Sequence, residues 1–259
     1  MFIDTHTHIY VEQFDDDRAE MIERAIGAGV ETFFLPNIDV KSVKRMLKLE
    51  QDYPKRCHAM MGLHPCFVGA DYEAQLALIK EHFDKRKYVA VGEIGIDLYW
   101  EKKYFDQQVK AFKEQINWAI EADIPIVIHC RDATQEVLQV LKECKHKKLR
   151  GIFHCFGGTA KEAQAIIEQG FLLGIGGVLT FKKAGLDNTL LEIGLEHLVL
   201  ETDSPYLAPV PFRGKRNESA YLRIVAEKLA EIKGVTVEEV GRITSQNALK
   251  VFQMDQIQS

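Results

Sequence analysis

Short apolar runs alternate with longer stretches in which apolar positions recur every three or four residues, from one end of the chain to the other. The short runs predict strands at 1–4, 32–36, 57–63, 89–94, 124–129, 151–156, 171–175 and 198–202. The longer stretches predict helices at 18–28, 40–53, 74–82, 104–121, 134–144, 160–169 and 184–193, with two more at 221–233 and 237–252. Most strand runs are apolar throughout rather than alternating, as expected of strands covered on both faces in a parallel sheet flanked by helices. Strand and helix in strict alternation, with eight strand runs, predict a single (β/α)₈ barrel of the α/β class. Gly27, Gly29 and Gly170 fall where helices should stop ahead of the next strand. One loop stands out at 204–218, because it carries three of the chain's seven prolines, Pro205, Pro209 and Pro211. It follows the last strand, so a barrel would carry it on the face formed by the strand C-terminal ends.

Length agrees with that reading: 259 residues suit one barrel domain spanning 1–259, since such barrels take about 250. A core of that size needs no disulfides. The net charge of -5 argues against a chain that coats nucleic acid non-specifically. It leaves room for a local basic patch, or for metal ions that reverse the field at one site. Cys57, Cys66, Cys130, Cys144 and Cys155 are odd in number and have no Cys-x-x-Cys spacing, which fits a reducing compartment. The N-terminus runs directly into a strand, with no basic segment before an apolar one, and no apolar run has membrane length. A cytoplasmic protein with no membrane association is expected.

The chemistry lies where the strands end. His6 and His8 close the first, Glu93 the fourth and His129 the fifth; His154 falls in the sixth, and Asp203 follows the eighth. In a barrel these ends share one face, where active sites are built. His6 and His8 are two apart on an extended chain and so point the same way. Histidines with carboxylates suit divalent ions such as zinc or manganese. Six candidate ligands exceed what one open catalytic ion uses, so two ions are expected. The two oxygens of Glu93 would let it bridge them. A lone histidine is more often structural, and His58, His82, His146 and His197, off the predicted face, are read that way.

The segments that hold these residues resemble the motif set of TatD-type deoxyribonucleases, metal-dependent barrels of the amidohydrolase-like superfamily. They are 2–8 (FIDTHTH), 62–65 (GLHP), 91–97 (VGEIGID), 128–132 (IHCRD), 153–156 (FHCF), 201–205 (ETDSP) and 213–218 (RGKRNE), in the family's order. The resemblance implies that His6 and His8 hold one ion, His129 and His154 the other, and that Glu93 bridges. It implies that Asp203 binds metal and takes the proton of the attacking water, so Glu93 and Asp203 carry the catalysis. Relatives in the wider superfamily bridge with a carboxylated lysine on the fourth strand; glutamate there favours the TatD-like branch. Ser219 stands where proline is expected and should alter loop stiffness rather than chemistry.

The expected activity is hydrolysis of DNA phosphodiester bonds at single-stranded ends, in the manner of a 3′–5′ exonuclease, with zinc, magnesium or manganese as the ions and RNA as a further possible substrate. His64, followed by Pro65, reads equally as a contact to the scissile phosphate or as a loop cap. Arg213, Lys215, Arg216 and Asn217 form a candidate phosphate-binding run, although a solvated charge run looks the same in sequence. Glu201, two before Asp203, suits a partner of a ligand or a structural ion pair. Cys130 and Cys155 read as small core residues. Tyr99 and Trp100 fit packing slightly better than base stacking. Two rivals stand: an amidohydrolase, lactonase or D-aminoacyl-tRNA deacylase on the same metals, and a non-catalytic nucleic-acid-binding or scaffold protein. The complete ligand set weighs against the second.

Overall fold

Parallel strands follow one another round a ring: β1 (Phe2–Asp4), β2 (Val30–Pro36), β3 (Cys57–Met60), β4 (Val91–Asp97), β5 (Ile126–Arg131), β6 (Gly151–Phe153), β7 (Phe171–Ile175) and β8 (Leu198–Leu200). The computed structural model describes residues 1–100 and 102–254. Hydrogen bonding groups the strands into two arcs, β1-β2-β3 and β4-β5-β6-β7-β8. Main-chain bonds join the arcs at both seams. Met61 N–H donates to Ala90 O (3.2 Å) and Gly92 N–H to Met61 O (3.1 Å) at one; Thr5 N–H donates to Leu200 O (3.0 Å) and Asp203 N–H to His6 O (2.9 Å) at the other. The fold is the (β/α)₈ barrel expected from the alternation.

The outer ring consists of α1 (Arg18–Gly27), α2 (Val43–Asp52), α3 (Tyr72–Asp84), α4 (Phe105–Ala122), α5 (Thr134–Glu143), α6 (Ala160–Glu168), α7 (Leu186–Leu191) and α8 (Leu222–Lys233), with α9 (Val237–Val251) added at the end. Each buries the stripe its periodicity dictates; in α2 that stripe is Val43, Met46 and Leu49. Thr159 and Glu162 form a capping box that starts α6. Gly234 takes the left-handed conformation that ends α8.

Two cores result. The larger lies between strands and helices. The smaller fills the ring, with Ile3, Phe34, Met60, Ala90, Val127, Ile152 and Val199 packed together and Leu172 beside them. α9 lies across the strand N-terminal ends and supplies Ala248, Val251 and Phe252 to this inner layer. The Phe252 ring stacks on Phe34 at 3.8 Å. Side chains two residues apart on a strand share a face. The residues two beyond Val127, Ile152 and Val199 are His129, His154 and Glu201. The apolar floor therefore fixes which side chains rise into the opposite mouth.

The strand ends differ from the sequence expectation. β3, β6 and β8 stop at Met60, Phe153 and Leu200, not at 63, 156 and 202. The chain leaves the ladder there to turn its polar side chains inward. Cys155 and Asp203 take left-handed backbone angles (φ 49° and 55°), uncommon without glycine and concentrated at functional sites. A side chain replaces the lost ladder: Glu201 Oε1 accepts the Cys155 N–H at 2.6 Å.

Candidate metal centre

His6, His8, Glu93, His129, His154 and Asp203, spread over 198 positions, converge at the strand C-terminal mouth. Five of them, all but His6, line a basin of about 630 Å³ there. Glu93 is its hub, and its two oxygens divide the donors. Oε2 lies 3.1 Å from His6 Nε2 and 3.6 Å from His8 Nε2. Oε1 lies 2.8 Å from His129 Nδ1 and 2.9 Å from His154 Nε2. Asp203 Oδ1 joins the first group, 3.4 Å from His8 Nε2 and 3.7 Å from His6 Nε2. The donors form trios that could each hold a metal ion: His6–His8–Asp203 and His6–Glu93–His154, with His64–Glu93–His129 beside them.

The residues behind the histidines decide which nitrogen faces inward. Tyr10 Oη donates to Pro36 O at 2.5 Å, so it accepts from His8 Nδ1 at 3.0 Å. That leaves the Nε2 lone pair of neutral His8 to the basin, 3.3 Å from His6 Nε2. Asp97 Oδ2 takes the Nε2 proton of His129 at 2.8 Å, which turns Nδ1 inward. Glu201 Oε1 faces His154 Nδ1 at 3.4 Å, which turns Nε2 inward. Convergent lone pairs backed by acceptors form the donor set of a divalent-ion site, so the residues fit the two ions. His64 differs. Its Nδ1 accepts the Cys66 N–H at 3.0 Å, so its proton sits on Nε2, 3.2 Å from Glu93 Oε1. A protonated nitrogen donates hydrogen bonds rather than binding metal. His64 thus caps the turn at Pro65–Phe67 and also points into the basin.

Two glycines open the space. A Cβ at Gly174 would lie 2.1 Å from Glu201 Oε2 and 3.1 Å from His154 Cα, so any side chain would displace the carboxylate beneath that ring. At Gly95 a Cβ would sit 2.0 Å from His129 O.

Burial opposes ionisation of Glu93, yet the surrounding His154, His64 and His6 hold its carboxyl well below the usual range. Burial likewise disfavours charge on His8, but hydrogen bonds to Asp203 and Glu93 push it up to about 9. The same contest raises His129, through Asp97 and Glu93, and raises His154 well above its ordinary value, through Glu93 and Glu201. His6, with burial and the neighbouring His154 both against charge, is lowered. The carboxylates draw cations into the cluster, and protons occupy the positions that metal ions would take.

The proline-rich loop departs from expectation. Arg213 and Lys215 are exposed, and the Arg213 guanidinium stacks on Phe181 at 4.4 Å. Arg216 instead turns away and grips Asp17 with two bonds of 2.7 Å, so its fork is already filled. Asn217 is buried, and its amide bridges Thr202 O and Tyr206 O at 2.7 Å each. These two residues hold the loop to the barrel and offer a ligand no free surface, contrary to the binding role expected of them. Cys130 and Cys155, expected in the core, line the basin. Asp97 and Tyr10 had no assigned role; the signal available for Asp97 was its position four after Glu93 in an otherwise apolar strand. His58, His82, His146 and His197 are absent from the basin lining.

Fold and donor set define a metal-dependent hydrolase barrel. Residues 3–253 match the family model described as TatD related DNase, and the chain belongs to that family. It is 41% identical over 256 residues to the uncharacterized metal-dependent hydrolase YabD of Bacillus subtilis, covering 98% of this chain and 100% of that one. It is 32% identical over 261 residues to the 3′–5′ ssDNA/RNA exonuclease TatD of Salmonella typhimurium, covering 97% and 98%. Among solved structures, the TatD homologue YJJV of Escherichia coli superposes with a TM-score of 0.92 at 28% identity, covering 98% of each chain.

Proposed function

We propose that this chain is a two-ion phosphodiesterase that shortens single-stranded DNA, and RNA as a secondary substrate, from the 3′ end. The division of donors between the two oxygens of Glu93 carries this reading. The nucleic-acid substrate is supported by the relative named as a 3′–5′ ssDNA/RNA exonuclease. His6, His8, Glu93 and Asp203 would hold one ion and His129, His154 and Glu93 the other; zinc, manganese and magnesium all suit such a set. When bound, the ions polarise the phosphate and make water a nucleophile at neutral pH.

The chain's own residues supply the remainder. Glu93, held ionised, sets the spacing of the two groups of histidines. Asp203, 14% exposed at the basin edge, accepts the proton of the attacking water through its carboxylate. The His64 Nε2–H donates to a non-bridging phosphate oxygen and offsets charge that grows there in the transition state. Arg213 and Lys215, on the loop that brings Tyr206 and Leu207 into the basin wall, attract the strand electrostatically. No membrane partner is called for: among the described residues no helix is long and apolar enough to cross a bilayer.

The test is end-labelled single-stranded DNA incubated with purified protein and Mg²⁺, Mn²⁺ or Zn²⁺, with chelator and Glu93→Ala as controls. Metal-dependent, stepwise loss from the 3′ end is expected. Folded, metal-loaded protein that leaves the strand intact but hydrolyses a lactone or a D-aminoacyl-tRNA would replace the nuclease reading with the rival one.

A further inference from the structure

Arg131 is the only arginine or lysine lining the metal basin. It also lines a second basin of about 560 Å³, which shares Cys130, His154 and Cys155 with the first and has the backbone of Gly157 and Gly158 in its wall. It stands two residues beyond His129 on β5 and shares its face, roughly 6–7 Å further out along the strand. Its guanidinium lies 4.0 Å from the Tyr99 ring centre and 5.5 Å from that of Trp100. Among the described residues no carboxylate or carbonyl accepts from its side chain. Stacking fixes the plane of the guanidinium while its fork of donors stays open.

The brace is tied to the metal centre through one residue. Asp97 Oδ2 accepts from His129, while its Oδ1 accepts the N–H groups of Tyr99 and Trp100 at 2.9 and 2.8 Å. One carboxylate therefore positions both a candidate ligand and the aromatic pair that braces the arginine. Trp100 is 68% exposed and Tyr99 54%, large apolar surface left open beside a cation at the mouth.

We infer that Arg131 binds the phosphate next to the scissile one, so that the strand lies across both basins and the enzyme prefers a polynucleotide to an isolated phosphodiester. The inference rests on the proposed nuclease function and adds a specificity-determining residue to it. Arginine forks match phosphate oxygens in pairs, and the exposed faces of Tyr99 and Trp100 give a neighbouring base a surface on which to stack. A substrate without a second phosphate has nothing to offer Arg131.

The test compares wild type with Arg131→Gln and Arg131→Lys on two probes, a ten-residue thymidylate strand and bis(p-nitrophenyl) phosphate, with thermal melting to verify folding. For Arg131→Gln the ratio of kcat/KM on the strand to kcat/KM on the small diester should fall at least tenfold, mainly through KM. The slope of log KM against log salt on the strand should flatten by about 0.7, the share of one phosphate contact on a single strand. Arg131→Lys, which keeps charge but loses the fork, should fall between. An unchanged ratio would overturn the inference, whether because both activities drop together, which puts Arg131 on the scissile group, or because neither drops. Wild-type protein that hydrolyses the diester but neither cuts nor binds the strand would defeat the nuclease function itself, and that failure appears before any variant is made.

Discussion

The two halves of the donor cluster have the same kinds of ligand but different surroundings. On the β1 side, the His6 and His8 side chains are 0% and 4% exposed. His8 is backed by a neutral tyrosine hydroxyl, and His6 Nδ1 has no partner among the described residues. On the β5–β6 side, both histidines have a carboxylate behind them, Asp97 for His129 and Glu201 for His154. A carboxylate behind an imidazole raises its basicity and fixes its orientation. The pair shows that a bridging glutamate does not make two sites equivalent. The β5–β6 half should hold its ion more tightly, and the β1 half should exchange its ion and depend on Asp203 for charge.

Removing what the halves share should have the largest effect. Glu93→Ala should lose both ions by elemental analysis and more than about 10⁴-fold in activity, beyond the range for one proton-transfer group alone. Asp203→Asn should keep the histidines in place and lose about 10²–10³ in kcat, with ion content largely retained. A variant with full activity and normal ion content would remove Asp203 from its role as proton acceptor.

Asp97→Asn tests the asymmetry directly. It should weaken one ion by about 10–100-fold and leave the other nearly as tight. Tyr10→Phe, the corresponding change on the β1 side, should cost only a few-fold. Competition titrations with a chelator would measure both, and equal losses from the two substitutions would end the comparison.

pH should separate the halves by slope. His8, pushed up to about 9, and His129 and His154, raised by their carboxylates, hold protons in the ion-free protein, whereas His6 is lowered and holds none at neutral pH. An ion must displace those protons, so affinity falls as pH drops through neutrality. One proton on the β1 side predicts about a tenfold change per pH unit, and two on the β5–β6 side about a hundredfold. Calorimetry in buffers of different protonation enthalpy would count the protons released.

The ligands were legible in the sequence for a simple reason. Their signal is local, a polar residue at the end of an apolar run, and the barrel does the rest. The barrel was legible because its strands are short, buried and regularly spaced. What could not be read was partnership across the ring. Arg216 and Arg213 look alike in a cationic run, but only Arg216 meets Asp17, 199 positions away. Asn217 seemed available for phosphate until the fold buried it beneath Tyr206. Asp97 was visible as a motif position but not as the link between His129 and the Tyr99–Trp100 turn. The loss of ladder at the ends of β6 and β8 follows from Glu201 and the left-handed backbone at Cys155 and Asp203, which strand patterning does not report.

The stack of Phe252 on Phe34 makes the basin a cul-de-sac. With α9 plugging the far end and an apolar floor across the ring, no tunnel crosses the barrel. Whatever enters by the mouth must leave by it. A freed product and the next substrate compete for one doorway, so turnover is set by clearance as well as by bond cleavage. Product added at the start should slow the reaction as a competitor, without reaching the metal ligands by any second route.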